Sequence, residues 1–200
     1  MTIRECAPWM FTDGDHDVTQ AEAAAVQRLL APSSSSALPV KDAEAQLAGR
    51  YFQQCLPLHL VAWRARGPRA GEVFRHILNA FPSAAKEKEN IGLLPLHYAA
   101  AYMGDDSCGL EAIQLLLTEY PQAAMQKDIG GELPIHLLCT KNKKATLAMV
   151  RELLSAYPNA INEGGFSHQK PYERAAYLKY LPADAIKFLQ HADRGRLSLS

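Results

Sequence analysis

The segment Leu56-Pro57-Leu58-His59 recurs unchanged at residues 94–97 and, with isoleucine as its third residue, at residues 133–136. The prolines of these three tetrapeptides lie 38 and 39 residues apart, and a degraded copy begins 37 residues later at residues 170–173. Regular spacing of this kind predicts a stack of similar supersecondary units rather than one globule closed around one core. Such a stack offers a long surface for partners and seldom a pocket for chemistry.

A second marker, aromatic-Pro-x-Ala, keeps the same phase and begins at Phe81, Tyr120 and Tyr157. From the proline of this marker to the proline of the next tetrapeptide the interval is always 13 residues, whereas the other interval varies from 24 to 26. The variation in length therefore falls within one part of the unit. This pattern predicts a rigid turn that alternates with a helical hairpin of adjustable length.

The composition predicts a chain that can bury a core. Of the 200 residues, 48% are apolar and 21% are charged, and the 21 basic residues balance the 21 acidic ones. A net charge of zero argues against a nucleic-acid-binding protein, which would carry a basic stripe. Two local basic clusters, at residues 64–69 and 141–144, are interpreted as solvated loops between helices.

The four cysteines, Cys6, Cys55, Cys108 and Cys139, show no CxxC motif and no disulfide-framework spacing. They predict reduced thiols and hence an intracellular protein, most simply a cytoplasmic one, with a nuclear or organellar location as the alternative. The first residues lack the apolar stretch of a secretory signal. The sequence contains no run of 18 apolar residues, so no membrane span is predicted.

Each unit is predicted to contain two helices. Proline suits the first position of a helix, so Pro57, Pro95 and Pro134 are expected to open short helices over residues 57–66, 95–103 and 134–140. Longer amphipathic helices follow, with apolar residues at helical spacing. They are expected to stop before Pro82, Pro121 and Pro158 and to lead into turns over residues 86–92, 127–131 and 162–165.

This pattern resembles the ankyrin-repeat family, whose units usually open with Thr-Pro-Leu-His. The resemblance implies an all-α fold, an ankyrin-like solenoid of helix-turn-helix repeats joined by extended turns. It covers repeats at about 53–90, 91–129 and 130–166 and a degenerate one at 167–190. The period departs from the family's usual 33 residues, with the surplus in the inter-helix loop. A HEAT or TPR solenoid is the rival architecture, but those repeats lack the in-phase Leu-Pro-Leu-His.

The ends of the chain lie outside this pattern. Residues 1–52 are predicted to form an irregular segment with a helical cap, and residues 191–200 a flexible tail. Thr19 and Glu22 form a capping box for a helix that runs to Leu30, and a second short helix is expected at 41–47. The acidic run 13–17 lacks the glycine and glutamate of a calcium loop and is interpreted as a solvated loop.

No residue group predicts catalysis. His59, His97 and His136 stand one repeat apart, roughly 8–10 Å if neighbouring helices pack, which is too far to share a metal ion. The resemblance implies that these histidines, with Pro57, Pro95 and Pro134, are structural. A Cys139-dependent enzyme stays a weak alternative, and no phosphate-binding or acyl-transfer motif is present. We expect no enzymatic activity, cofactor or metal.

The resemblance implies a protein-protein interaction module, an adaptor or scaffold, that binds its partner through a concave face made of turn tips and short-helix ends. A permanent structural subunit of a large assembly is the alternative. Neither a nucleic acid, a membrane span nor a small-molecule ligand is expected. The predicted contact residues are Trp63, Arg64, Tyr102 and Lys141 near the helix ends and Ile91, Leu93, Ile129 and Glu132 in the turns.

Overall fold

The computed structural model describes residues 2–12, 14–30, 47–49, 52–104 and 108–194, with only the backbone of Phe52 and Ser167. These residues are mostly helical, which confirms the all-α prediction. The α-helices of the described part are α1 (Ile3–Cys6), α2 (Gln20–Leu30), α3 (Pro57–Arg64), α4 (Ala70–Ala80), α5 (Pro95–Tyr102), α6 (Gly109–Glu119), α7 (Pro134–Lys141), α8 (Leu147–Ala156), α9 (Pro171–Leu178) and α10 (Ala183–Asp193).

The helices from α3 onward form two parallel rows. The short helices α3, α5, α7 and α9 contact one another in that order, and the long helices α4, α6, α8 and α10 do the same. Each short helix also packs on the long helix that follows it, and α2 extends the long-helix row by packing on α4. The buried apolar residues form one continuous cluster along the stack, so each unit covers the apolar side of its neighbour.

Proline sets the start of every short helix in the stack. Pro57, Pro95, Pro134 and Pro171 occupy the first helical turn, and the residue before each is extended, with ψ near 160°. Proline is pre-set for this position because its fixed φ suits a helix and its missing N–H would have no partner there. The observed short helices end within two residues of the predicted bounds.

The links between the long helices and the next short helices have one length, over residues 81–94, 120–133 and 157–170. Each link begins with an aromatic residue, and a 3₁₀-helix follows at Pro82–Lys86, Pro121–Met125 or Pro158–Asn162. The sequence itself predicts only that the long helices stop at these prolines. The 3₁₀-helices bury small residues such as Ala84 and Ala123 against the stack, which explains the alanine in the marker.

Each link then folds into a turn that we call a tip: tip 1 (residues 89–93), tip 2 (128–132) and tip 3 (165–169). In each tip the first residue's amide donates to the carbonyl of the last, at 3.0–3.1 Å. The fourth residue has positive φ, which glycine adopts without strain: Gly92 at 81° and Gly131 at 79°, with His168 at 57° in the third tip.

The N-terminal segment is more ordered than the sequence predicted. A 3₁₀-helix at Pro8–Phe11 packs on α3, and strand β1 (His16–Asp17) pairs in parallel with strand β2 (Ala65–Arg66). Asp15 also forms an ion pair with Arg66. The acidic run is therefore not simply a solvated loop, because its second half pairs with the stack.

Other predictions for the chain ends have mixed outcomes. The Thr19–Glu22 capping box is present, with the Glu22 carboxylate accepting from the Thr19 amide at 2.9 Å. The predicted helix at 41–47 lies outside the described residues except for Leu47. Helix α10 continues to Asp193, so it extends into the segment predicted as a tail, and residues 195–200 are outside the described part.

Candidate partner-binding surface

The three tetrapeptide histidines connect each short helix to the turn beyond it. In His59, His97 and His136 the Nδ1 atom accepts from the backbone amide of the residue just before the helix, at 3.1–3.2 Å. The Nε2 atom donates to a backbone carbonyl of the following link: Glu87 at 3.1 Å, Glu132 at 3.3 Å and Glu163 at 3.0 Å, respectively. Both ring nitrogens are therefore used in holding the backbone.

These bonds require the neutral ring, with its proton on Nε2. Burial lowers the pKa of His97 to about 4, and burial likewise lowers the pKa of His136. A histidine that is buried, neutral and bonded at both nitrogens has no lone pair for a metal ion. No cluster of His, Cys, Asp or Glu suitable for a metal ion occurs in the part of the chain that the structure describes.

The tips present apolar side chains to solvent. Ile91 in tip 1, Ile129 in tip 2 and Phe166 in tip 3 are 40%, 78% and 65% exposed. We call these three residues the tip row. The three tips are connected along the stack, because the Ile129 amide donates to the Ile91 carbonyl at 3.1 Å and the Phe166 amide donates to the carboxylate of Glu132 in tip 2 at 2.7 Å.

Carboxylates hold the first two tips in shape. In tip 1 the Glu89 side chain accepts from the amides of Ile91 and Leu93, at 3.1 and 2.8 Å. In tip 2 the Asp128 side chain accepts from the amides of Gly130 and Glu132, both at 2.8 Å. These bonds satisfy backbone groups that would otherwise need water, so the apolar side chains stand on defined turns.

An aromatic cluster lies near the ends of α3 and α5. The ring centroids of Trp63, Tyr98 and Tyr102 are separated by 5.8, 6.1 and 6.4 Å. Tyr98 is buried with its hydroxyl 3.7 Å from the Cys55 sulfur, Trp63 is half-buried, and Tyr102 is exposed at the edge. Burial raises the pKa of Tyr102, which is consistent with a ring that packs on one side and meets solvent on the other.

Two predicted contact residues are buried instead. Arg64 is 4% exposed, and its guanidinium carbon lies 4.7 Å from the Trp63 ring centroid. Glu132 is 6% exposed, and its carboxylate accepts from the Phe166 amide and from Arg174 on α9. Neither side chain has surface to offer a partner, so we remove both from the candidate surface.

The other predicted contact residues divide by exposure. Lys141, at the end of α7, is exposed, whereas Leu93 packs partly against the core. The neighbouring Asn142 side chain donates to the carbonyls of Ala100 and Met103, at 2.9 and 2.8 Å. It thereby ties the end of α7 to the end of α5, which brings Lys141 and Tyr102 to the same edge of the short-helix row.

Two residues of this surface and its support, Tyr98 and Tyr177, are not predicted from the sequence. Tyr98 lies four residues before Tyr102, a spacing that places both on one helical face and could have indicated the cluster. Phe166, by contrast, is a turn position that the resemblance implies, and it follows Gly165 in the third turn as Ile129 follows Asp128 in the second. Tyr177 on α9 is also strongly exposed, and nothing in its local sequence distinguishes it from a core tyrosine.

Comparison with protein-family models gives no match, and comparison with curated proteins gives none either. Within the described residues, each helix is too short or too polar to cross a bilayer.

Proposed function

We propose that this chain is a non-catalytic, ankyrin-like interaction domain that binds another protein through its tips and short-helix ends. The observation that carries the proposal is the tip row, where Ile91, Ile129 and Phe166 extend apolar side chains into solvent from three successive turns. Single exposed apolar residues are ordinary, but an aligned set on rigid turns is typical of a contact surface.

Several features support the ankyrin type. Each repeat unit opens with proline, and each tetrapeptide histidine bonds both its own helix start and the next link, at 3.0–3.3 Å. The links are of equal length and end in tips with a positive-φ residue. In the fourth unit Glu173 replaces the histidine, and its carboxylate accepts from the Lys170 amide at 2.8 Å. It therefore reproduces the bond that each histidine makes to the start of its own helix. Such a unit fits a terminal cap.

The cysteines support a non-catalytic role. Cys139 is fully buried, and burial raises the pKa of its thiol to about 12, so the nucleophilic thiolate is not populated at neutral pH. Its neighbour His136 is bonded to backbone at both ring nitrogens and is not positioned as a base. All four cysteines are free thiols, which supports an intracellular location as part of the proposal.

The test compares partners captured by three versions of the whole chain. The intact chain and Met125→Asp should retain a common partner, and the double variant Tyr102→Ala, Ile129→Asp should lose it. Met125 is the matched control because it is apolar and exposed but lies at the end of a 3₁₀-helix, outside the tips. If all three versions retain the same partners, the proposed surface is wrong.

Size-exclusion chromatography of the isolated chain addresses the alternative of a permanent structural subunit. The adaptor proposal predicts one monomeric species over a range of concentrations. Concentration-dependent self-association, reversed by the Ile129→Asp change, would favour the subunit, because an obligate subunit exposes its interface when alone.

A further inference from the structure

The tip row also indicates what kind of partner segment it fits, an inference that rests on the proposed function. Ile91 and Ile129 belong to adjacent tips whose backbones are directly bonded, with 3.1 Å between the Ile129 nitrogen and the Ile91 oxygen. Backbone segments bonded side by side, as neighbouring strands are, lie about 5 Å apart. A Cβ placed on Gly92 would lie 3.5 Å from Ile129 Cγ2, so the Ile129 side chain leans over tip 1.

The next interval along the row is longer. Ile129 and Phe166 each occupy the second position of their tips, directly after Asp128 and Gly165. Equivalent positions in successive units are separated by the repeat distance, roughly 8–10 Å for helices packed side by side. From these spacings we expect the row to present its apolar side chains with one short interval and one about twice as long.

An α-helix reproduces both intervals on one face. With a rise of 1.5 Å per residue, positions i, i+4 and i+11 are separated by about 6 and 10.5 Å along the axis. These positions belong to the a and d set of a heptad pattern. An extended strand places same-face residues about 6.6 or 13 Å apart and does not match the second interval.

The charges beside the tips fit the same occupant. Lys127 and Glu163 form an ion pair at 2.8 Å, and the Lys88 ammonium lies 3.5 Å from the Lys127 carbonyl. Charges of both signs therefore border the apolar row. They suit the mixed charged flanks of an amphipathic helix better than a segment with one strong charge.

We propose that the tip row binds an amphipathic α-helix of a partner protein, with apolar side chains at heptad spacing that contact Ile91, Ile129 and Phe166. The helix lies across the three tips along the direction of the stack. Each tip supplies one apolar contact, and the flanking Lys88, Lys127 and Glu163 meet the polar edges of the helix.

The probe is a fluorescein-labelled helical peptide of about 18 residues, long enough to keep helical content in water, with leucine at i, i+4 and i+11 in an Ala/Glu/Lys background. The control peptide has the same composition with its leucines spread around the helix. Anisotropy titration with the whole chain should give at least about tenfold tighter binding for the heptad peptide. Ile129→Asp and Phe166→Asp should each remove that preference, and Met125→Asp should keep it.

Equal binding of the two peptides, or a preference that survives Ile129→Asp, would overturn the inference. This failure is distinguishable from failure of the proposed function. If captured protein partners still depend on Ile129 while the heptad peptide shows no preference, the surface is correct and the helical occupant is wrong. If no captured partner depends on Tyr102 or Ile129, the proposed function fails as well.

Discussion

The Nε2 atom of His97 lies 3.3 Å from the carbonyl oxygen of Glu132, and this bond connects α5 to the last residue of tip 2. The same ring accepts the Leu94 amide at 3.1 Å, so one neutral imidazole satisfies backbone groups of two successive units. Protonation of Nδ1 would remove the acceptor and place a charge in the core. The stability of the stack should therefore depend on pH.

Acid should destabilise the fold in a defined window. The folded state holds His97 with a pKa of about 4, below the 6.5 of the free side chain, so the unfolded chain binds more protons between these values. Stability from this group is complete above pH 6.5 and decreases as the pH falls toward 4. The full loss is about 3 kcal/mol, with about 2 kcal/mol gone by pH 5.

Urea unfolding at pH 7 and pH 5 measures this effect. His97→Asn should reduce the pH dependence of the free energy of unfolding. His191→Asn should preserve that dependence, because His191 is an exposed histidine on α10. Identical pH slopes for His97→Asn and the unmodified chain would show that His97 does not titrate with folding.

Arg174 should be required for the stability of the fold only while Glu132 is present. Arg174→Met leaves the buried Glu132 carboxylate without its cationic partner and should cost about 3 kcal/mol. Leu93 occupies in tip 1 the position that Glu132 occupies in tip 2. The double variant Glu132→Leu, Arg174→Met should therefore be more stable than Arg174→Met alone in urea unfolding. A double variant less stable than the single one would contradict the assigned pair.

Trp63 and Tyr102 should differ in their effect on stability. Both are predicted contact residues, but Trp63 packs between Tyr98 and the Arg64 guanidinium. We expect Trp63→Ala to cost about 2–3 kcal/mol and Tyr102→Ala about 1 kcal/mol, from the apolar area each ring buries. Thermal unfolding measures both, and equal shifts in Tm would argue against the half-buried position of Trp63.

The cysteines should react in an order set by burial. Cys108 is partly exposed, whereas Cys139 is buried with its pKa raised to about 12 by burial. Iodoacetamide at pH 8 should modify Cys108 first and Cys139 only on unfolding, because the thiolate is the reactive form. Mass mapping of the modified sites over time gives the order. Rapid native modification of Cys139 would revive the cysteine-enzyme alternative.

The sequence predicted the short helices well because proline defines their first residue. It did not predict the 3₁₀-helices after Pro82, Pro121 and Pro158, since proline after an aromatic residue locally indicates only a stop. Whether a 3₁₀-helix then forms depends on tertiary contacts. Ala84 is buried in the link, and the 3₁₀-helix at Pro82–Lys86 contacts α5 and α6 of the next unit.

The positions of the proposed contact residues were predictable from the sequence, but their burial was not. Turn positions such as Ile91 and Ile129 follow from the repeat register, and both are exposed. The burial of Glu132 depends on Arg174, a residue 42 positions away, and no local pattern indicates that pairing. Register can be read from sequence, whereas long-range pairing of single side chains requires the folded structure.

Hydrogen exchange on the chain with and without its captured partner tests most directly whether binding uses the tips. We expect slower exchange in the complex at residues 89–93, 128–132 and 165–169 and near the ends of α3 and α5, with exchange in α4, α6 and α8 unchanged. Protection confined to the long-helix row, or no protection at the tips, would contradict it.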